Sequence, residues 1–168
     1  ALSETWVFKG GTCLRKCYNE TYRFSEDWDI TVTDLSLMSP EILFSVFGEI
    51  SEWIKNNVGI ELELSENSFK SYPNKRGKLS TQGKIGFIGL EAKPTTPKVK
   101  LDLANDELIA SPSERRRVIH EYSDWHSETS VLSYSLEELA AEKIRALAQR
   151  CRTRDLYDAF IPKFRVEI

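Results

Sequence analysis

The chain has 168 residues and a formal net charge of −3, with 40% hydrophobic and 29% charged residues. This composition is ordinary for one soluble domain with its own core, and it excludes a strongly basic protein that coats nucleic acid. No apolar run approaches the roughly 20 residues of a membrane-spanning helix, and no secretory signal is visible. Cys13, Cys17 and Cys151 lack the spacing of a disulfide framework or a zinc site, so we expect reduced thiols in a cytoplasmic protein.

The first part of the chain predicts alternating strands and helices. Residues 6–8 form a short apolar run that predicts a buried strand entering a glycine turn. A helix over residues 12–18 follows, and alternating side chains predict a strand over residues 28–33. Ser39 is the expected N-cap of a helix that begins at Pro40 and continues to about residue 57.

The second part predicts several strands followed by helices. Strands are expected over residues 60–64, 83–90, 98–103 and 117–122. The stretch 65–82 is polar and rich in Ser, Lys and Asn, so it is predicted to be a loop. Ser135 and Glu138 have capping-box spacing, which predicts a helix to about residue 150, and a short helix follows over residues 154–160.

This order of elements predicts an α+β fold with a mixed sheet. We expect residues 1–134 to form a core domain that contains the sheet. Residues 135–168 are expected to form a helical C-terminal segment that packs on this core.

Gly10, Gly11 and Thr12 lie between the first predicted strand and helix. Glycines let the backbone approach a phosphate closely, and a helix start offers N–H groups and a positive dipole end. A tight strand–helix connection without a ligand would explain the same residues. No Gly-Lys-Ser/Thr follows, so the turn is not a Walker A loop.

Asp27 and Asp29 occupy alternate positions of the second predicted strand. Their carboxylates therefore point to one side, while Trp28 points to the other. Two carboxylates that repel each other are stabilised by a divalent cation, and Mg²⁺ combines a few carboxylates with phosphate oxygens and water. A solvated acidic strand end is the alternative interpretation.

Asp102 shares the polar face of the predicted strand over residues 98–103 with Lys98 and Lys100. A neighbouring position beside the Asp27 and Asp29 strand would add a third carboxylate. Three carboxylates suit metal-dependent nucleotidyl transfer, in which metals activate the attacking hydroxyl and steady the triphosphate. The alternative is a single exposed aspartate among lysines.

Four ordered motifs together carry a resemblance to a known family. They are Lys9-Gly10-Gly11-Thr12, Arg23-Phe24-Ser25-Glu26-Asp27-Trp28-Asp29, the helical segment 138–147 and Arg154-Asp155-Leu156-Tyr157-Asp158. The first two resemble the opening signature of the nucleotidyltransferase superfamily. All four resemble the AbiEii family of nucleotidyltransferase toxins, from abortive-infection and toxin–antitoxin systems. The resemblance implies a nucleotidyltransferase-like mixed sheet flanked by helices.

The chain departs from the family pattern in two respects. Fifteen residues separate Gly11 from Asp27, slightly more than the broad superfamily pattern usually has. Relatives commonly carry helical segments before the first strand and after the last motif. We therefore expect a short or trimmed version of the family.

The resemblance implies a role for each matching residue. Asp27 and Asp29 would ligate Mg²⁺, or Mn²⁺ in its place, and Asp102 would complete the acidic set. Lys143 would neutralise triphosphate charge, and Asp155 would stand at the far wall of the cleft. The residues expected to bind the nucleotide are Lys9, Gly10, Gly11, Thr12, Ser25 and Lys143. A fixed metal and an ammonium group stabilise the charge that builds on phosphoryl oxygens during transfer.

Lys143 has a second interpretation, because its helix places it beside an apolar stripe. A lysine drawn towards a protein interior needs a partner. That partner is either a phosphate group or one of the acids Asp155 and Asp158.

The expected reaction is the attack of an acceptor hydroxyl on the α-phosphate of a nucleoside triphosphate, with release of pyrophosphate. The expected partners are the nucleotide, an RNA acceptor such as the 3′ end of a transfer RNA, and a cognate antitoxin, with no membrane. Arginines at 115–117 and in the C-terminal segment would hold an RNA backbone, or they form solvated faces. The alternatives are a nucleotide- or partner-binding module without turnover and a purely structural domain.

Overall fold

The computed structural model describes residues 2–19, 23–88, 96–120, 128–150 and 152–160. The chain divides into two compact units, and each unit combines two separate stretches of sequence. The first unit comprises Ala1–Trp6 and Glu26–Glu107, and the second comprises Val7–Ser25 and Leu108–Ile168. The expected division into residues 1–134 and 135–168 stays a prediction.

The helices and strands alternate along the first half of the chain and end in two helices. In chain order they begin with α1 (Leu2–Thr5), β1 (Trp6–Lys9), α2 (Gly10–Cys13), a π-helical turn (Leu14–Tyr18), β2 (Asp27–Val32), a 3₁₀ turn (Leu35–Met38) and α3 (Pro40–Val58). They continue with β3 (Glu61–Glu63), β4 (Phe69–Pro73), β5 (Leu79–Ile88), β6 (Lys98–Ala104), β7 (Glu114–Arg117), β8 (Ser130–Ser133), α4 (Leu136–Arg150) and α5 (Thr153–Phe160). None of the helices in the described ranges has both the length and the apolar character to cross a membrane.

A mixed sheet forms the centre of the first unit. Strand β2 runs parallel to β6, and β5 runs antiparallel to β6. Strands β3 and β4 both pair with β5, which is ten residues long. Helix α3 packs on this sheet through Phe47, whose ring lies 5.3 Å from that of Phe69 and 6.5 Å from that of Trp6.

Local signals at both ends of α3 confirm the predicted helix. The Ser39 hydroxyl accepts a 3.2 Å hydrogen bond from the backbone N–H of Ile42, which is the geometry of an N-cap. Pro40 occupies the first helical position. Gly59 ends the helix with φ of 76°, a left-handed conformation that glycine adopts without strain.

The prediction of a loop over residues 65–82 is wrong, because this stretch contains β4 and the first part of β5. The two strands form a hairpin whose turn is closed by hydrogen bonds from Asn74 N–H to Lys78 O and from Gly77 N–H to Asn74 O. Phe69 is the buried residue of β4, while the rest of that strand is exposed. A mostly polar and exposed strand looks like a loop in the sequence. Pairing with β5 is what stabilises it as a strand.

The strands of the second unit also pair in both directions. Strand β1 runs parallel to β8, with Phe8 beside Ser133, and β7 runs antiparallel to β8. The strand expected over residues 117–122 shares only Arg117 with β7, and residues 118–120 are not in a strand. Strand β8 was not predicted. The buried cluster of this unit consists of Val7, Cys13, Leu14, Cys17, Tyr134 and Leu139.

Helix α4 begins as predicted, although its cap is not a reciprocal capping box. The Ser135 hydroxyl accepts from the backbone N–H of Glu138 at 3.2 Å. The Glu138 carboxylate accepts from the backbone N–H groups of Ala110 and Ser111, at 3.0 and 2.8 Å. Glu138 therefore fixes the preceding segment against the helix start.

Several residues considered in the sequence lie outside the described ranges. They are Cys151, the ends of the strands predicted over residues 83–90 and 117–122, and residues 161–168 of the expected C-terminal segment.

Candidate functional site

The register between β2 and β6 forms a charged face in the first unit. Asp27 lies beside Lys100, and Asp29 lies beside Asp102. Neighbouring residues in a sheet project to the same side, and positions i and i+2 of a strand share that side. We call these four side chains the acidic face. Asp102 thus lies next to the strand of Asp27 and Asp29, where the sequence placed it.

Lys100 supplies the positive charge of the acidic face. Its ammonium donates a 2.6 Å hydrogen bond to Asp102 Oδ2 and lies 3.8 Å from Asp27 Oδ1. Gln82 on β5 donates to the other oxygen of Asp102 at 2.9 Å. The hydrogen bond to Asp102 raises the pKa of Lys100, and the charges of Asp102, Asp27 and Asp29 raise it further against the effect of burial. One cation therefore lies in the field of all three carboxylates.

The donor chemistry of the acidic face fits a divalent metal ion. Carboxylate oxygens are the ligands that hard divalent cations prefer, and the Asp27 and Asp102 side chains are 46% and 30% exposed. Within the described ranges, no group of three or more His, Cys, Asp or Glu residues is placed so that it could hold a metal ion by itself. The expectation that Asp27, Asp29 and Asp102 ligate a metal therefore stays a prediction.

The glycine turn of the second unit consists of Gly10, Gly11 and Thr12. Gly10 has φ of 75°, which favours glycine because a side chain would strain this conformation. A Cβ at Gly11 would lie 2.9 Å from Ser25 Oγ and 3.2 Å from Arg23 Nη2. The segment Arg23–Ser25 is therefore packed directly against the turn, and Gly11 leaves it room to approach.

Lys9 lies immediately before the glycine turn and is buried. Its ammonium lies 3.3 Å from Glu142 Oε1 and 5.8 Å from the centroid of the Tyr134 ring. Only 7% of Lys9 is exposed, so this partner is needed to keep the charged form in the interior. The sequence analysis predicted that Lys9 binds the nucleotide. It assigned no role to Glu142, which belongs to the helical motif over residues 138–147.

Lys143 has Asp158 as its partner, one of the two acids that the sequence left open. The Lys143 ammonium lies 3.1 Å from Asp158 Oδ2, and both groups are buried. Asp158 also accepts two hydrogen bonds from Arg23, at 2.7 and 2.8 Å. One carboxylate therefore holds two cations, and one of these, Arg23, contacts the glycine turn. Sequence reasoning missed Arg23, although it belongs to the same motif as Ser25.

Asp155 lies one helical turn before Asp158 and is completely buried. It accepts hydrogen bonds from Arg150 Nε and Nη2 at 2.8 and 2.9 Å. These bonds hold the pKa of Asp155 below its ordinary value, and the charge of Lys143 acts in the same direction. Asp155 thus has a partner on its own unit, and its predicted place at the wall of a cleft stays a prediction.

Comparisons with known proteins identify the family of the chain. Residues 1–161 match the model of the family described as nucleotidyl transferase AbiEii toxin, type IV toxin–antitoxin system. Among solved structures, the chain is similar to MenT4, a nucleotidyltransferase toxin from Mycobacterium tuberculosis H37Rv, with 25% identity and a TM-score of 0.57. The match covers 92% of this chain and 48% of that one, so the chain spans about half the length of MenT4. No curated protein matches the sequence.

The family match includes the acidic strand, the glycine turn and the helices that carry Lys143 and Asp158. The similarity to MenT4 shows the same α+β fold. This chain therefore belongs to the AbiEii family of nucleotidyltransferase toxins.

Proposed function

We propose that this protein transfers a nucleotidyl group from a nucleoside triphosphate to an acceptor hydroxyl in a Mg²⁺-dependent reaction. The observation that carries the proposal is the register that sets Asp29 beside Asp102, with Asp27 on the same face. Membership of a nucleotidyltransferase toxin family and the likeness to MenT4 support the same reaction.

In this proposal Asp27 and Asp29 hold the metal, and Asp102 completes the acidic set. Nucleotidyltransferases generally use divalent metal ions. Mg²⁺ usually takes one or two carboxylates together with substrate phosphates and water, and Mn²⁺ accepts the same ligands. When bound, the metal supplies charge stabilisation at the phosphoryl oxygens and activates the attacking hydroxyl. Lys100 has to release Asp102 when that carboxylate takes a metal.

The second unit supplies the proposed triphosphate contacts. Backbone N–H groups of the glycine turn and the Ser25 hydroxyl would donate to phosphate oxygens, as at other glycine-rich turns. Lys143 would exchange Asp158 for a phosphate oxygen. This exchange leaves Asp158 with its two hydrogen bonds from Arg23, so the buried carboxylate keeps a partner. Lys9 would add positive charge before the turn, and Asp155 would stand behind Lys143.

The proposed acceptor is the 3′ end of a transfer RNA, and the proposed protein partner is a cognate antitoxin. Strand β7 supports an RNA acceptor because it carries Arg115, Arg116 and Arg117 in succession, with Arg115 and Arg117 exposed. Exposed arginines contact phosphates without regard to sequence, which suits recognition of an RNA backbone. The type IV toxin–antitoxin description of the family supports an antitoxin.

The test is incubation with each α-³²P-labelled nucleoside triphosphate, Mg²⁺ and total transfer RNA. We expect the wild type to label RNA and the double variant Asp27→Ala/Asp29→Ala to leave it unlabelled. The matched control is Glu61→Ala/Glu63→Ala, which removes the same acid pattern from β3, a strand that pairs with β5 rather than with β2 or β6. This control should retain the labelling.

Two other outcomes would replace the proposal. Mg²⁺-dependent triphosphate binding without transfer would indicate a binding module without turnover. A wild type that neither binds nor transfers would contradict a nucleotide-dependent function for this chain.

A further inference from the structure

Phe24 is an exposed aromatic side chain beside the glycine turn. With 69% of its surface exposed, it is more open to solvent than any other aromatic side chain in the described ranges. It directly precedes Ser25 and follows Arg23, the two residues that a Cβ at Gly11 would meet. A phenylalanine this exposed contributes little to the stability of a core, so packing alone does not account for it.

The Phe24 ring is held by a cation from the helix that follows the turn. The Arg15 guanidinium carbon lies over the ring, 5.0 Å from its centroid, at the distance of a cation–π contact. Arg15 belongs to the π-helical turn Leu14–Tyr18 and is itself partly buried. The ring therefore has a fixed neighbour while most of its surface stays open.

We infer that Phe24, supported by Arg15, is a stacking platform for the nucleobase of the bound nucleoside triphosphate. The inference rests on the proposed function, because it places the base next to the triphosphate contacts. Ser25 is a proposed phosphate contact, and Phe24 is its immediate neighbour, with consecutive Cα atoms about 3.8 Å apart. Aromatic rings and guanidinium planes are the two protein groups on which bases stack.

A stacking platform distinguishes ligands with a base from ligands without one. Stacking tolerates every base, because each base has a π-face, and it reads no hydrogen-bonding edge. The Phe24 ring therefore raises affinity for all four triphosphates without choosing among them. A ligand that has the phosphates but no base gains nothing from the ring.

The experiment compares binding of the four nucleoside triphosphates with binding of inorganic tripolyphosphate, by calorimetry with Mg²⁺ present. We expect Phe24→Leu to weaken nucleotide binding roughly tenfold or more while tripolyphosphate binding stays unchanged. Phe24→Tyr and Phe24→Trp keep an aromatic face and should retain nucleotide affinity. Phe44→Leu, at another exposed phenylalanine on α3, is the matched control and should change neither affinity.

Each other result overturns the platform. Equal nucleotide affinity in Phe24→Leu and the wild type would show that the ring makes no contact with the base. Equal weakening of nucleotide and tripolyphosphate would show that Phe24 only supports the turn. Binding of neither ligand by the wild type would reject the proposed function and the platform together, which distinguishes that failure from the first two.

Discussion

Lys100 donates a 2.6 Å hydrogen bond to Asp102, the residue two positions farther along β6. The acidic face therefore carries its own cation, and this cation also lies 3.8 Å from Asp27. A divalent metal bound at Asp102 has to compete with the Lys100 ammonium. This competition between Lys100 and a metal ion for Asp102 can be measured directly.

Replacing Lys100 by methionine should increase the response of the protein to Mg²⁺. Without metal, three neighbouring carboxylates lose their common cation, and we expect the melting temperature to fall by about 2–4 °C. Adding Mg²⁺ should recover this loss and raise the melting temperature of Lys100→Met more than that of the wild type. Thermal melts with Mg²⁺ and with a chelator measure the effect.

Lys84→Met is the control for this measurement. Lys84 is the neighbour of Lys100 on β5 and is exposed, and no ion pair of Lys84 is seen among the described residues. Its loss should leave the Mg²⁺ response unchanged. An equal Mg²⁺ response in Lys100→Met and the wild type would show that Lys100 does not compete with a metal.

Asp102→Asn should lower nucleotidyl transfer by about 100-fold or more, because it removes one charge from the proposed metal site. The fold should persist, since asparagine keeps an oxygen that can accept from Gln82. Label transfer to RNA and a circular dichroism spectrum measure the two properties. Asp106→Asn makes the same change in the same unit at an ion pair with the exposed Arg76, and it should leave transfer intact. Full activity in Asp102→Asn would remove this residue from the site.

Asp158→Asn should be strongly destabilising, because Arg23 and the buried Lys143 lose a shared counter-ion. Breaking a buried ion pair by removing one partner costs about 3–5 kcal/mol. Asp155→Asn removes an equally buried acid, but its partner Arg150 is 44% exposed and can be hydrated. Urea unfolding should therefore give a smaller loss for Asp155→Asn, and the reverse order would contradict the shared role of Asp158.

Acid should weaken the pair of Asp155 and Arg150 in a defined direction. The folded-state pKa of Asp155 is lowered, so the pair stabilises the protein above the unfolded pKa of about 3.9. That contribution is lost as the pH falls through the folded pKa. The difference in unfolding free energy between wild type and Asp155→Asn should therefore shrink from pH 7 to pH 3. A difference that stays constant over this range would mean that the carboxylate charge does not stabilise the fold.

Gly11→Ala should disturb the glycine turn, because the new methyl group would lie 2.9 Å from Ser25 Oγ. The segment that contains Ser25 has to shift, and overpacking of this kind typically costs about 1–3 kcal/mol. Nucleotide binding, measured by calorimetry, should weaken with it. Gly48→Ala is the control, since a Cβ at Gly48 has no neighbour within 4 Å and an alanine suits the middle of α3. Unchanged stability and binding in Gly11→Ala would contradict the close approach of Ser25.

Predictions from the sequence were accurate where the stabilising contacts join residues close in the chain. They failed or stayed open where the contacts join distant segments. Helix α3 was predicted because Ser39 and Pro40 mark its start within a few residues of chain. Strand β4 was missed because its pairing with β5 stabilises a mostly polar stretch. The partner of Lys143 stayed open between a phosphate group and two acids of one helix, and the packing of α4 against α5 selects Asp158 of these two acids. Arg23 was missed because the acid that fixes it is 135 residues away in sequence.

That separation has a consequence for the order in which the protein is made. On the ribosome, Asp158 is added 135 residues after Arg23. A nascent chain that ends before α5 has neither the carboxylate that holds Arg23 nor the partner of Lys143. The triphosphate contacts proposed for the second unit are therefore assembled only after α5 has been synthesised, and a nascent chain that ends before α5 lacks this part of the proposed site.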